Sequence, residues 1–153
     1  MPRYAIITRL FPFEACHHLP GHQGKCRRPH GHSYQLEVSL RGPIKETQGL
    51  SDEGMVLDFA ELKALVNRTI LEQLDPRVPR GPEAGMIEQG GMDHNDLNVL
   101  TGIRTTAENL VHWIWEALVA GGVPEEFLYR IRLWETEKGY VEITQAERGQ
   151  EGR

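Results

Sequence analysis

From His32 to Arg41 the chain alternates without a break, with Tyr34, Leu36, Val38 and Leu40 set against Ser33, Gln35, Glu37, Ser39 and Arg41. A period of two belongs to a strand with one buried face and one wet face. The chain must therefore build a sheet that is covered on one side. Residues 3–17 also alternate and are rich in β-branched and aromatic types, which puts Phe11, Phe13, Ala15 and His17 on one face of an earlier strand.

The covering layer is legible further on. Gly42 to Met55 reads as a loop, and Asp58 as the N-cap of a helix, with Glu61 completing a capping box and Leu57 stapled to Leu62. That helix runs to about Leu74, buries Leu62, Val66 and Ile70, and is ended by Pro76. Residues 75–98 then form a long connection rich in Pro and Gly, a kind of loop that is usually functional or mobile. Thr105 or Thr106 opens a second helix that closes at Gly121 and Gly122. In it Thr105 to Glu108 spell a capping box, and Trp113, Trp115 and Leu118 are spaced as core. Residues 127–136 and 139–144 read as a hairpin turning at Glu137, Lys138 and Gly139, with Phe127, Tyr129, Ile131 and Leu133 inward. The order ββααββ predicts an α+β domain, a four-stranded antiparallel sheet with two helices on one face. Four strands leave two open edges, which predicts edge-to-edge oligomerisation. One domain is expected over 1–146, followed by a tail, 147–153, too polar to pack.

Composition narrows the function. A net charge of −5 argues against a nucleic-acid surface, although Lys25, Arg27 and Arg28 can receive a small anion. No apolar run nears the roughly 20 residues of a membrane span, and the N-terminus lacks a signal peptide's layout, so a cytoplasmic protein is expected. Two cysteines are too few for a disulfide framework.

The chemistry concentrates in Lys25 to His32, KCRRPHGH. On a strand His30 and His32 point the same way about 7 Å apart, and can share an ion if their rings lean together. His17, on the inward face of the first strand, is the natural third ligand. Three imidazoles with an open fourth position suit a catalytic zinc, whereas structural zinc is closed by four protein ligands. The H-x-H pair alone is equally what a polar strand end looks like. Cys26 has three readings: a fourth ligand, a thiolate base or nucleophile beside the metal, or an inert buried cysteine. Period two puts Glu135 on the apolar face of its strand, where it is either a strand-end carboxylate in solvent or a bidentate acceptor for a flat, amidine-like heterocycle. Asp93 and His94 form a possible proton-carrying pair on the long loop.

In order, F-E-A-C-H-H-L, C-x-x-x-H-G-H, M-V-L-D-F-x-x-L-K, D-H-x-x-L-N, T-x-E-N and W-E-T resemble the 6-pyruvoyltetrahydropterin synthase family, over roughly residues 5–145. The bacterial 6-carboxytetrahydropterin branch of queuosine precursor synthesis is the most similar. The resemblance implies Zn²⁺ on His17, His30 and His32, Cys26 as catalytic cysteine and not a ligand, and Asp93 and His94 as its proton-transfer partners. It implies Glu135 as pterin anchor, with Thr106 and Glu108 near the pterin. It further implies the tunnelling fold, a hexamer made as a dimer of trimers with sites at subunit interfaces, and a pterin triphosphate substrate.

Overall fold

The computed structural model describes residues 1–74 and 95–150. The two alternating segments form β1 (Tyr4–His17) and β2 (His30–Pro43), an antiparallel hairpin in register from Tyr4 opposite Pro43 to His17 opposite His30. Phe11, Phe13, Ala15 and His17 are buried on one face of β1, and Tyr34, Leu36, Val38 and Leu40 on the same face of β2.

The covering helix begins at Asp58, whose side chain accepts from the Ala60 N–H at 2.8 Å. α1 (Phe59–Val66) continues through a wider π-type turn at Asn67–Leu71 into a last turn, α2 (Glu72–Leu74). Leu62, Val66 and Ile70 are fully buried, as their spacing predicts. Pro76 lies outside the described residues. So does most of the long connection, of which residues 95–98 are described. Asn95–Asp96 form a short strand, β3, parallel to β1 at Ala15 and Cys16, and α3 (Leu97–Thr101) follows, capped by Asp96. With β4 (Leu128–Thr136) and β5 (Gly139–Thr144), the sheet therefore has the expected four antiparallel strands plus a fifth at the β1 edge, in the order β3-β1-β2-β4-β5. A two-residue strand is too short for periodicity to reveal.

α4 (Ala107–Ala120) is capped by Thr106, which accepts from the Asn109 N–H at 3.2 Å. The capping box read at Thr105 to Glu108 is thus displaced by one residue, and Thr105 is released for other work. Gly121 closes α4, and Gly122 takes the left-handed backbone (φ +111°) that the exit requires. Trp115 and Leu118 are core, with Trp113 packed at its edge.

β4 (Leu128–Thr136) and β5 (Gly139–Thr144) form the closing hairpin. Its inward face departs from strict alternation. Opposite Ser39 and Leu40 the register passes from Arg130 to Leu128, so Tyr129 is an extra residue in a β-bulge. Leu128 is buried in place of Tyr129, while Phe127 is exposed. Past the bulge Ile131 and Leu133 face inward as predicted. The tail expectation also needs correction. Gln145–Gln150 form α5, and Arg148 reaches α4, with Nη1 3.0 Å from His112 Nδ1 and Nη2 3.3 Å from Glu116 Oε1. A long guanidinium stem can cover apolar surface while its head stays paired, so a polar composition did not preclude packing.

Candidate active site

The hairpin register decides where the histidines go. His17 and His30 are direct cross-strand partners, and His32 follows His30 by one strand period on the same face. Their ring centroids are 4.6, 5.0 and 4.8 Å apart, and one ligand atom from each lies within 4.8 Å of the others. Among the described residues this is the group of His, Cys, Asp or Glu side chains able to hold a metal ion, and Cys26 is not part of it.

The nitrogens are sorted. His17 Nδ1 donates to the Thr105 carbonyl at 2.9 Å, with Thr105 Oγ1 at 3.1 Å. His30 Nδ1 donates to the Arg28 carbonyl at 2.7 Å. A carbonyl can only accept, so both protons sit on Nδ1 and leave the Nε2 lone pairs for a cation. The Nε2 atoms of His17 and His32 are buried without a hydrogen-bond partner among the described residues. Burial also pulls the pKa of both rings below the usual histidine range, opposed for His17 by Thr105 and Glu135 and for His32 by Glu135. Imidazoles clustered this closely, with the unprotonated Nε2 of His17 buried and unbonded, are the donor set that Zn²⁺ takes, so the residues fit the ion.

Glu135 connects this cluster to a cavity. Its Oε1 lies 3.4 Å from His32 Nε2, and its side chain is one-third exposed. The cavity, of about 360 Å³, is also lined by Leu19, Thr106, Glu108, Leu133 and Tyr140. Glu135, Thr106 and Glu108 are thereby brought together beside the aromatic Tyr140 and the aliphatic Leu19 and Leu133.

Cys26 sits half-buried in a single turn, Lys25–Arg27, of the loop that leaves at His17 and returns at His30. The loop is pinned by the Cys26 carbonyl, which accepts from the Leu19 N–H at 2.7 Å. Lys25, Arg27 and Arg28 are exposed around it. Asp93 and His94 lie outside the described residues. Sequence reasoning missed Thr105 as the holder of His17, because a capping motif explained it fully. It also missed Leu19 and Tyr140 as cavity walls, since only the tertiary fold brings the loop after β1 to the start of β5.

The comparisons narrow the class in two steps. A solved structure of 6-pyruvoyl tetrahydropterin synthase from Caenorhabditis elegans superposes with a TM-score of 0.71 at 24% identity, over 94% of this chain and 96% of that one. The fold is therefore the tunnelling fold. The family model for 6-pyruvoyl tetrahydropterin synthase matches residues 6–146, and the chain belongs to that family. Its relatives include both product types. A 6-carboxy-5,6,7,8-tetrahydropterin synthase of Synechocystis sp. is 39% identical over 132 residues, 86% of each chain. A 6-pyruvoyl tetrahydrobiopterin synthase of Dictyostelium discoideum is 34% identical over 151 residues, 92% of this chain and 96% of that one. Among the described residues no helix is long and apolar enough to cross a membrane.

Proposed function

We propose that the chain is a zinc-dependent 6-carboxy-5,6,7,8-tetrahydropterin synthase, converting 7,8-dihydroneopterin triphosphate and water to 6-carboxytetrahydropterin, acetaldehyde and triphosphate. The observation that carries this is the contact of Glu135 with His32: one carboxylate borders both a three-nitrogen metal site and a cavity of heterocycle size. His17, His30 and His32 would hold Zn²⁺, which when bound would supply a Lewis acid for the substrate's side-chain oxygens. Glu135 accepts the paired N–H groups of the pterin, and Leu133 and Tyr140 exclude water from its faces. Cys26 moves the side-chain proton as an acid–base group, with Asp93 and His94 serving the opposite transfer. Lys25, Arg27 and Arg28 offset the triphosphate charge.

The assembly that suits this chemistry is a hexamer, a dimer of trimers. Supporting it, β1 has its edge covered by β3 only at Ala15 and Cys16, and Tyr4, Ile6 and Leu10 of β1 are about half exposed. We assign the protein to the cytoplasm, in keeping with a cysteine count too low for a disulfide framework. Separation from the 6-pyruvoyl reaction, favoured by the long Dictyostelium match, comes from incubation with the triphosphate and mass analysis. Acetaldehyde and a carboxy product are expected, and triphosphate release with the three-carbon side chain retained would overturn the choice. A non-catalytic module with zinc closed by Cys26 is disfavoured, because Cys26 is absent from the metal-binding group.

A further inference from the structure

The strand that carries His17 ends there, and its next residue is held by a side chain. Asn98, at the start of α3, accepts from the His18 N–H through Oδ1 at 3.0 Å and donates to the His18 carbonyl through Nδ2 at 2.8 Å. β3 pairs with β1 at Ala15 and Cys16, so the amide of Asn98 supplies one more rung to that short ladder. Its orientation is not interchangeable: a backbone N–H only donates and a carbonyl only accepts.

Oδ1 has a second neighbour, the Thr105 hydroxyl at 3.2 Å, and Thr105 is fully buried. That hydroxyl has one proton. Its two acceptors are Asn98 Oδ1 and, at 3.4 Å, the His18 carbonyl, which is itself fixed by Asn98. With the proton so directed, the Thr105 oxygen can only accept from His17 Nδ1, 3.1 Å away. The Thr105 carbonyl makes the same demand on the same nitrogen from 2.9 Å.

We infer that Asn98 is a positioning residue for the metal centre: through the His18 backbone and the Thr105 hydroxyl it sets the orientation of His17, in the tautomer that the Thr105 carbonyl demands. The inference rests on His17 being a metal ligand. Outer partners of ligating histidines act by fixing ring direction and the proton-bearing nitrogen, and their loss typically weakens metal binding by roughly 10- to 100-fold. Asn98 lies one residue beyond the direct partner, and it reaches His17 by two routes, the His18 backbone and the Thr105 hydroxyl.

The test is zinc affinity, measured by competition with a chelating dye on metal-stripped, full-length protein. Thr105→Val removes the hydroxyl and keeps the volume. Asn98→Asp keeps both acceptor contacts and loses the donor to His18. Both are expected to weaken zinc binding, Thr105→Val by roughly 10-fold or more, while Thr105→Ser, which retains the hydroxyl, stays near wild type. In ¹⁵N spectra of the metal-stripped wild type, the His17 proton is expected on Nδ1. If wild type binds one zinc that His17→Ala removes, yet Thr105→Val and Asn98→Asp bind it like wild type, the positioning role is overturned and the metal site stands. A His17 proton found on Nε2 overturns it equally. A wild-type chain that takes up no zinc overturns the metal site and this inference together.

Discussion

Replacing Gly121 with alanine pits two effects of opposite sign against each other. Gly121 has ordinary right-handed backbone (φ −82°, ψ 0°), so alanine fits its conformation. On that ground alone the change stabilises by about 0.4–1 kcal/mol, through the lost freedom of the unfolded chain. The space around it reverses the sign. A methyl built on Gly121 overlaps Thr69 Cγ2, lies 3.0 Å from Thr69 Cβ and 3.2 Å from the Ala117 carbonyl. Thr69 cannot swing away freely, since its hydroxyl donates to the Leu65 carbonyl at 2.7 Å and its side chain is buried. Overpacking of this kind costs about 1–3 kcal/mol, so the net expectation is a loss of about 1–2 kcal/mol. For a domain of this size that lowers Tm by about 2–8 °C. Thr69→Ser deletes the clashing methyl and keeps the hydroxyl, so in that background Gly121→Ala should cost far less. Urea melts of the four proteins of this cycle measure the coupling directly. A Gly121→Ala protein as stable as its parent, or an identical loss in both backgrounds, would refute the reasoning. The seat matters for function because α4 is one rigid helix: Gly121 anchors its far end, and Thr105 and Thr106 at its near end meet His17 and the cavity.

Other substitutions separate the roles assigned to the site. Cys26→Ala should keep zinc near one per chain while turnover collapses, and His30→Ala should lose both; metal analysis beside a rate assay decides, and loss of zinc from Cys26→Ala would restore the cysteine as a ligand. Glu135→Ala should retain zinc yet bind a pterin roughly 10- to 100-fold more weakly, the worth of charge-assisted hydrogen bonds, and unchanged affinity in a fluorescence titration would remove its anchoring role. The metal-stripped chain should lose stability in mild acid. Burial holds the folded pKa of His17 and His32 below the unfolded value of about 6.5, so the unfolded chain binds more protons as pH falls through that value. Their contribution is therefore present above about pH 6.5 and lost below it. Thermal melts in chelator at pH 7.5 and 5.5 check this, and equal Tm values would count against buried neutral rings.

Much of the fold was legible because its elements obey their own periods. The alternation of β1 and β2, the spacing of Leu62, Val66 and Ile70, and the glycines after α4 each specify a local conformation that packing then accepts. The exceptions are places where a neighbour overrode the local signal. Tyr129 is turned out by a bulge that exists only in the pairing of β4 with β2. Thr106 took the cap, and Thr105 was drawn to His17, from 88 positions away in the chain.

The sequence by itself determined which side chains share a face: His17 with Phe13 and Ala15, and His30 with His32, because a strand's period of two leaves no other arrangement. Tertiary structure alone decided that His17 faces His30 across the hairpin, that Glu135 arrives beside His32 from a distant strand, that Thr105 holds the His17 ring, and that Asn98 holds the His18 backbone next to it. Those contacts depend on strand register, a bulge and the seating of two helices. None of these is local, since each is a balance of packing and hydrogen bonding between segments that no short window of the sequence contains.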